Sequence, residues 1–526
     1  MAMTMDHGRP ESLAQQAAHV TWYREPHLRR LYFLSIFLLM GSATTGFDGM
    51  LQNTSQQMDA WKAYFPEHRD ANKLGILINM YSVGSITSFL VAPYMADTLG
   101  RKPTIMAGCV VMTAGACVTA FGSGYGMYIG GRFVIGFGSS LSHVCSPMLL
   151  AEICHPQHRG RLTTLYNCLW NLGSLLVSLA GWATASIDND WAWRSITFLQ
   201  VAPSVVQLVG ICWVPESPRF LVSAGRPGQA LAVLAEHHGG GDANNATVVF
   251  EYREIKETIA AEDKANRSTS YLDFFKTRGN RWRLAIVVSL GIISQYSGNA
   301  LFSNYMDIVY EGAGIQGQNK KLALSAGKTI MDLLVSVAAA FSVDRVGRRP
   351  LFLTATAGMV VAFAGWTLVG AVYENSRVST PEQPGGGIRY TNKSAGYSQI
   401  AFVWLFGIFY DIGFSGLLVA YALEIMPYRL RAKGLVIMNV VVQAVLAIGN
   451  QTNKLAWNNL PRHWNFMLFY TLWNLCEFVF VYFVYVETKG PTLEEIARIF
   501  DGQRAVPREQ VEKARHQGFV LETKAA

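Results

Sequence analysis

An aspartate lies inside an apolar stretch near the start of the chain, in the sequence GSATTGFDGMLQN at residues 41 to 53. Arg132, in GGRFVIGFG, is likewise surrounded by small and apolar residues. An isolated charge in such surroundings is unfavourable, and a carboxylate can remove it by pairing with a guanidinium or by taking up a proton. Asp48 and Arg132 therefore predict either a structural ion pair or a site that binds and releases a proton.

Three more charges interrupt apolar stretches later in the sequence. Lys328 and Asp332 are four residues apart, so a helix would place them on one face, where they can pair. Asp411 lies alone in a further stretch. Charges of this kind commonly mark a transport pathway or a second ion site. His143 could also carry protons, although a packed, hydrogen-bonded histidine is the favoured interpretation.

The composition indicates what surrounds these charges. Of 526 residues, 51% are hydrophobic and only 15% are charged, against about a quarter in a typical soluble domain. Apolar stretches of roughly 20 residues, long enough to cross about 30 Å of hydrocarbon, recur along the chain, which predicts an all-α protein in a lipid bilayer. We number the predicted membrane spans 1 to 12 in chain order: 31–52, 74–95, 104–122, 126–148, 163–185, 195–214, 283–309, 322–343, 351–373, 399–423, 434–455 and 465–486.

Basic residues in the short loops predict the orientation. LGRKP at 99–103, HPQHRGR at 155–161, DRVGRRP at 344–350 and YRLRAKG at 428–434 all fall on one side of the predicted bilayer. Because basic loops face the cytoplasm, and because the polar first 28 residues lack the apolar core of a signal peptide, both termini are predicted to be cytoplasmic. The net charge of +8 is concentrated in these loops, so it indicates topology and gives no sign of nucleic-acid binding.

Neither the cysteines nor the histidines predict a metal or cofactor site. The seven cysteines lie mostly within spans, have no repeated CxxC spacing and are interpreted as packing residues. Cys154, His155 and His158 are close in sequence, but they lie at a helix end beside a basic loop. No nucleophile–base set or strand-associated phosphate loop is present either, so an enzyme is not expected.

The sequence contains an internal repeat. DTLGRKP after span 2 matches DRVGRRP after span 8, a glutamate seven residues before an arginine occurs twice, and PESPRFL after span 6 corresponds to VETKGPTLEEI after span 12. The three pairs occur in the same order, offset by about 250 to 270 residues, which predicts two homologous six-helix halves. The predicted organisation is a tail at 1–28, a first half at 29–214, a helical linker at 215–282, a second half at 283–486 and a tail at 487–526.

Together these motifs resemble the sugar porter family of the major facilitator superfamily, over nearly the whole chain. The segments QYSGNALFSNY at 295–305 and YALEIMPYRLRAKG at 421–434 are most similar to fungal lactose-permease-type and hexose transporters. The resemblance implies a substrate site between the two halves that opens to each side in turn, without covalent chemistry on the substrate.

The resemblance also implies a cytoplasmic gate, in which loop aspartates and arginines interact with the repeated Glu and Arg. A role in topology alone is the alternative, but it leaves the paired acids unexplained. The implied gate residues are Asp97, Arg101, Glu152 and Arg159 in the first half and Asp344, Arg348, Glu424 and Arg431 in the second.

For Asp48 the resemblance implies proton coupling. Proton-coupled symporters of the family carry an aspartate at this place, paired with the arginine of span 4, whereas facilitative carriers usually have a neutral residue there. Asp48 lies 18 residues beyond Arg30, or about 27 Å along a helix, and Arg132 is expected at a similar depth. A static ion pair near the outer interface is the alternative.

Substrate-binding residues follow from the family positions with less support. The implied residues are Asn167 in span 5, Gln295, Ser297 and Asn299 in span 7, and Asn439 and Gln443 in span 11. The family's QQxxGxN is here the shorter SQYSGN, and its proline-rich motif in span 10 is replaced by DIGFSGLLV, with Val419 near the usual tryptophan. Helix–helix hydrogen bonds are the alternative role for each amide.

Three functions remain open from the sequence. Proton-coupled uptake of a mono- or disaccharide by a monomer in the plasma membrane is the leading hypothesis. Transport of another small organic molecule, such as an organic acid or a fungal secondary metabolite, is the second, because of Lys328, Asp332 and Asp411. A sugar sensor without transport is the third.

Two glycosylation sites are expected on the outer side. The sequons at Asn53 and Asn392 fall in outward loops, whereas those at Asn245 and Asn266 fall in the cytoplasmic linker. Asn392 is the better candidate, since Asn53 is close to the membrane.

Overall fold

A computed structural model describes residues 22–155, 158–266, 270–380, 387–427, 430–489 and 499–501. The end of the helix bundle that carries Arg101 and Arg348 is called the basic end, and the opposite end is called the far end.

The first half contains the helices of spans 1 to 6. Span 1 is extended at the far end by a short helix, Asp59–Tyr64, and a 3-10 turn, Pro66–Arg69, and span 6 is divided into two helices at Gln200. The main helices are Pro26–Gln56, Ala71–Thr98, Arg101–Phe121, Gly124–Ile153, Arg159–Thr184, Trp191–Leu199 and Val201–Ile211.

The segment between the halves is helical, as predicted. It contains Pro218–Ser223, Pro227–His238, Ala246–Asn266 and Asp273–Lys276. Arg30 of span 1 pairs with Glu236 at 3.0 Å, and the ring of His238 contacts the carbonyl oxygen of Ile153 at 3.0 Å. The linker therefore packs against the basic end of the first half.

The second half contains spans 7 to 12. Its helices are Arg278–Tyr296, Asn299–Asn304, Met306–Gly312, Gln318–Val346, Arg348–Asn375, Lys393–Tyr410, Leu417–Ile425, Arg431–Asn459 and His463–Val484. A π-helical turn, Asp411–Ser415, connects the two parts of span 10. At the far end, strands β1 (Arg377–Thr380) and β2 (Gly387–Tyr390) pair antiparallel, so the fold is all-α except for this hairpin.

The helices lie where the sequence predicts the spans, and the main difference is in their continuity. Ten helices of the described part are long and apolar enough to cross a membrane. Span 5 is the continuous helix Arg159–Thr184, whereas span 7 is broken into three helices. A hydropathy pattern cannot show such breaks, because the residues on both sides of each break remain apolar.

Close packing of the helices depends on glycine. A Cβ atom at Gly46 of span 1 would collide with the carbonyl oxygen of Trp170, and one at Gly173 of span 5 would collide with that of Ala43. Small residues let membrane helices approach closely, so that dispersion contacts can hold them together without a hydrophobic driving force.

Candidate transport pathway between the two halves

The two halves meet through spans 1, 2 and 5 of the first half and spans 7, 8 and 11 of the second. At the far end of span 1, the side-chain amide of Asn53 donates to the carbonyl oxygen of Phe302 at 3.4 Å. The side-chain amide of Gln56 donates to the backbone carbonyl oxygen of Asn304 at 2.9 Å. These bonds join span 1 to the broken part of span 7.

A cluster of four charges, the far-end ion cluster, joins the same two elements. Lys62 follows span 1 and contacts Asp307 at 2.7 Å and Glu311 at 3.0 Å, both at the end of span 7. Lys321, at the start of span 8, contacts the same acids at 2.8 Å and 2.7 Å. Each lysine thus binds both acids, and Lys62 binds them across the boundary between the halves.

Spans 5 and 8 are joined nearer the middle of the bundle. Asn171 donates to the hydroxyl of Ser336 at 2.7 Å, and Ser178 shares a hydrogen bond with Thr329 at 3.3 Å. The hydrogen bonds and ion pairs described above thus join the two halves at the far end and in this middle region. The pathway is therefore closed at the far end in this conformation.

Asp48 is completely buried in the first half. Its side chain has no accessible surface, and neither carboxylate oxygen has a hydrogen-bond partner. Arg132 and Ser139, both on span 4, are the polar groups that act on this carboxylate. An uncompensated carboxylate at such a position is costly, so the site favours neutralisation by a cation or by a proton.

The direct ion pair expected between Asp48 and Arg132 is not formed in this conformation. Arg132 is buried, but none of its nitrogens lies within 4.0 Å of the carboxylate oxygens, and its guanidinium lies over the ring of Tyr81, 5.1 Å from the centroid. The hydroxyl of Tyr81 donates to Ser139 at 3.3 Å. Stacking on the ring of span 2 thus holds Arg132 away from Asp48, while both remain in one buried cluster.

The predicted residues of span 7 lie at its first break. Gly298 has φ +117°, a conformation that strains any other residue, and it separates the helix ending at Tyr296 from the one beginning at Asn299. Around it, the amide of Asn299 donates to Gln295 at 3.4 Å, and Ser297 is fully buried with no partner for its hydroxyl. Gln295 and Asn299 are half-buried, so the structure places two amides together at a break in the helix.

The other predicted substrate residues are less well defined. Asn439 and Gln443 are half-buried on span 11, and the side-chain oxygen of Gln443 is buried without a hydrogen-bond partner. The side chain of Asn167 lies outside the described part of the structure. The role of these amides in binding stays a prediction.

The three charges of the second half form one cluster, which we call the Lys328 cluster: Lys328, Asp332 and Asp411. Lys328 donates to Asp332 at 2.7 Å, as their spacing predicted. Asp411 lies in the π-helical turn of span 10, only 7% exposed, with one oxygen lacking a hydrogen-bond partner. Both other charges act on its carboxylate, a grouping that the sequence alone did not specify.

At the basic end of the first half, Arg101 lies between the acids predicted for it. Its guanidinium is 3.3 Å from Glu152 of span 4 and 3.7 Å from Asp97. It also donates to the carbonyl oxygen of Ala96 at 3.0 Å and lies over the ring of Phe220 in the linker. The side chain of Arg159 lies outside the described part.

The second half repeats this arrangement. Arg348 donates twice to one oxygen of Glu424, at 3.2 Å and 3.0 Å, and Thr488 donates to the other oxygen. Arg431 donates to the carbonyl oxygen of Met426 at 3.2 Å, and the side chain of Asp344 is not among those described. Both arginine–glutamate pairs join helices of one half, and they are present while the far end is closed. The role of these two pairs in a cytoplasmic gate stays a prediction.

Two glutamates at the basic end were missed as functional residues. Glu216 of PESPRFL accepts a hydrogen bond from the backbone nitrogen of Lys102 at 3.2 Å, and Glu487 of VETKGP accepts those of Arg348 and Arg349 at 3.0 Å and 3.1 Å. Each carboxylate caps the first turn of the helix after the repeated glycine, where free backbone donors and the helix dipole favour a negative charge. The repetition of an acid in both motifs was the signal that could have identified them.

Glu477 of span 12 was also missed. It is 5% exposed, and neither of its carboxylate oxygens has a hydrogen-bond partner. The signal was a single acid in the apolar segment NLCEFVFVY. The far-end ion cluster gave a weaker signal, because only Asp307 lies within a predicted span, whereas Lys62, Glu311 and Lys321 lie beyond span ends.

The structure corrects one glycosylation prediction. Asn53 lies in the last turns of the helix Pro26–Gln56, is completely buried, and bonds across to the second half. A glycan has no room there, because the helix of span 1 continues beyond the predicted end of the span. Asn392 lies at the far end, at the start of the helix Lys393–Tyr410.

The sequence is similar to known membrane proteins over most of its length. Residues 34–500 match the family model described as "Sugar (and other) transporter". The chain belongs to this family, the sugar porters of the major facilitator superfamily. The transporter is 26% identical to a high-affinity glucose transporter of Kluyveromyces lactis over 91% of this chain and 87% of that one. It is 27% identical to the high glucose sensor RGT2 of Saccharomyces cerevisiae, over 89% of this chain and 60% of the sensor.

Solved structures agree with the fold. The inward-open conformation of the xylose transporter XylE from E. coli superimposes with a TM-score of 0.71 at 19% identity, covering 89% of this chain and 99% of that one. The partially occluded inward-open conformation of XylE gives 0.70 at 19% identity, covering 88% and 99%. At this level of identity the likeness establishes the fold, and substrate and coupling must be argued from the residues.

Proposed function

We propose that this sugar transporter is a proton-coupled symporter that takes up a mono- or disaccharide, and that Asp48 carries the coupling proton. The observation that carries the proposal is the buried carboxylate of Asp48, which has no hydrogen-bond partner and no ion pair in a conformation closed at the far end. A proton on Asp48 would remove the cost of this charge, and Arg132 is held on Tyr81, as an arginine released from its partner would be.

The sugar is proposed to bind beside the break in span 7. Gln295 and Asn299 offer amide donors and acceptors there, and half-exposure leaves them reachable from the pathway. Neutral polyols are recognised by a few converging amides and hydroxyls in a largely apolar cavity. Asn439 and Gln443 on span 11 are the proposed partners on the second side of the sugar.

The orientation belongs to the same proposal. The basic end, with Arg101, Arg348 and the linker, faces the cytoplasm, and the far end faces the outside of the plasma membrane. The conformation described here is then closed to the outside, as the one that delivers sugar to the cytoplasm would be.

Uptake of labelled sugars by a yeast lacking its own hexose carriers tests the proposal. We expect saturable accumulation of at least one sugar above its external concentration, and we expect a protonophore to abolish this accumulation. Uptake that only equilibrates, with or without a protonophore, would contradict proton coupling. A chain that reaches the membrane and binds a sugar without moving it would be a sensor, the function of the relative RGT2.

A further inference from the structure

The second half contains a charged cluster that the proposed coupling through Asp48 does not use. In the Lys328 cluster, the one ammonium group pairs with Asp332, and its charge also acts on the carboxylate of Asp411. Lys328 donates to one oxygen of Asp332 at 2.7 Å, while the other oxygen of Asp332 is buried without a hydrogen-bond partner. Asp411 is 7% exposed and likewise has one buried oxygen without a partner. The cluster thus carries one negative charge in excess.

Among the described residues, no further charge acts on Asp411 to remove this excess. The titratable groups that face the cluster from the surrounding helices are the phenols of Tyr310, near Asp332, and Tyr410, next to Asp411. From the first half, span 5 offers Asn171, which is neutral. A second buried carboxylate beside a single ion pair is strongly unfavourable, because desolvation is compensated for only one of the two acids.

We propose that the Lys328 cluster is a second proton-binding site, in which Asp332 and Asp411 share one proton. The proton comes from water, adds to a carboxylate oxygen and leaves the cluster neutral, so no other reactant is needed. The site is separate from the cluster of Asp48 and Arg132, which lies in the first half. The role of this site in transport rests on the proposed proton coupling, whereas the binding of a proton at the site does not.

The contacts of Ser336 link this site to the movement of the two halves. Ser336 accepts a hydrogen bond from Asn171 at 2.7 Å across the boundary, and it shares one with Ser415 of the π-helical turn at 3.1 Å. It also lies beside the carboxylate of Asp411. When spans 5 and 8 separate, water reaches Asp411 and the charged form becomes acceptable. Protonation therefore favours the conformation closed at the far end.

Infrared difference spectra of the purified transporter test the site without any substrate. Between about pH 9 and about pH 4, each carboxylate that takes up a proton gives the carbonyl band of a carboxylic acid. The cluster has one excess charge in the wild type, none in Asp332→Asn or Asp411→Asn, and two in Lys328→Gln. We expect each Asn variant to lose one band, and the Gln variant to gain one.

The Asp48→Asn variant is the matched control, since it should lose a different band and retain that of the cluster. Because either Asn variant alone makes the same prediction, misfolding of one leaves the test intact. Unchanged carboxylic-acid bands in a folded Asn variant would overturn the proposal, as would loss of the wild-type band on adding sodium chloride at constant pH, which would indicate a sodium site. If the cluster bands behave as expected while Asp48→Asn still accumulates sugar, the proposed role of Asp48 fails and the second site remains.

The coupling of the site to far-end closure has its own measurement. Spin labels at the exposed residues Arg69 and Asn319 report the distance between the far ends of the two halves. Acidification should shift the wild type towards the shorter distance, whereas Asp411→Asn should favour the shorter distance at every pH. A distance distribution in Asp411→Asn that depends on pH as in the wild type would contradict the coupling.

Discussion

At the scale of single residues, the buried carboxylate of Asp48 needs a physical reason to exist. A lone charge in a membrane helix costs on the order of 2.5 to 3.5 kcal/mol on an insertion scale, and it is retained only where it has a partner or a function. Asp48 has no direct partner in the conformation closed at the far end. The proposed proton supplies the reason, because it neutralises the acid in this conformation and leaves it free to bind Arg132 in the other.

Replacement of Asp48 by asparagine separates coupling from movement. Asp48→Asn resembles the protonated acid permanently, so the two conformations should still interconvert. We expect sugar exchange at a rate within about threefold of the wild type, while accumulation against a gradient and sugar-induced proton uptake are lost. Both are measured in vesicles with an imposed pH gradient.

A matched control for this variant is Asp59→Asn, just beyond span 1, where the side chain is exposed. It should leave accumulation unchanged. If Asp48→Asn concentrates sugar as well as Asp59→Asn does, Asp48 is a structural charge and the coupling proton lies elsewhere.

Individual charges were predictable from the sequence, but their contacts were not. A single charge in an apolar run can be recognised in the sequence alone, which is how Asp48, Asp411 and the pair Lys328–Asp332 were identified. The stacking of Arg132 on Tyr81 depends on the approach of spans 2 and 4, which the sequence does not specify.

At the scale of elements, the basic end repeats one device in each half. An arginine in the first turn of a helix binds a glutamate of a neighbouring span, and a carboxylate from the segment after the last span of that half caps the same turn. Since these pairs hold helices of one half together, their expected role is to keep each half rigid while it moves as a body.

This role predicts that Arg101 matters for transport. Arg101→Ala leaves Glu152 without its charged partner, and we expect at least a fivefold loss of uptake, equivalent to about 1 kcal/mol, at normal surface expression. Arg226→Ala removes an equal charge from the same end at an exposed position, and it should have little effect. Equal uptake by the two variants would reduce the basic motif to a topology signal.

The far-end ion cluster predicts a second effect at this scale. Lys62→Ala removes the ion pairs that cross between the halves, so we expect the conformation open at the far end to gain about fivefold in population, or about 1 kcal/mol. Spin labels at Arg69 and Asn319, in a cysteine-free background, would show this gain as a longer distance. The exposed Lys73→Ala is the control, and the same distances in both variants would contradict a latching role.

The pH dependence of this cluster has a definite sign. Desolvation alone would raise the pKa of Glu311, but the hydrogen bonds and charges of Lys321 and Lys62 prevail and lower it. A lowered carboxyl pKa gives a contribution that is present above the ordinary value, about 4.3, and is lost as the pH falls below it. The contribution of Glu311 to closure should therefore be constant at neutral pH and weaken only in strongly acidic medium.

Element positions were largely predictable, but breaks within them were not. The spans follow from runs of apolar residues, whereas the break in span 7 depends on Gly298, beside which the ring of Phe363 leaves no room for a Cβ atom. Other glycines in apolar surroundings, such as Gly291, lie within a continuous helix. Tertiary contacts, which a single sequence does not reveal, decide whether a glycine breaks the helix or lies within it.

At the scale of the whole molecule, the repeat predicted two halves but not their relative position. Two conformations that interconvert differ by only a few kcal/mol. In the proposed mechanism, that balance depends on the contacts of Asn53, Gln56 and Lys62 across the boundary, and on whether Asp48 and the Lys328 cluster hold protons. The same small difference would allow a proton and a sugar to drive the proposed cycle.

The orientation of the molecule is the last prediction, and glycosylation tests it. Asn392 lies at the far end, where its side-chain oxygen accepts a hydrogen bond from the backbone nitrogen of Ala395 at 3.0 Å. A glycan attaches to the amide nitrogen and leaves this cap in place, so Asn392 can carry one without loss of stability. Asn245 and Asn266 belong to the linker, which packs at the basic end.

If the basic end faces the cytoplasm, a glycosidase should increase the electrophoretic mobility of the protein from yeast, and Asn392→Gln should remove this effect. Asn53→Gln is the control: it should leave the mobility change unaltered, since Asn53 is buried between the halves. A glycopeptide containing Asn245 or Asn266 would reverse the orientation. It would also reverse the assignment of the closed far end to the outside, because the linker and the far-end ion cluster lie at opposite ends of the same bundle.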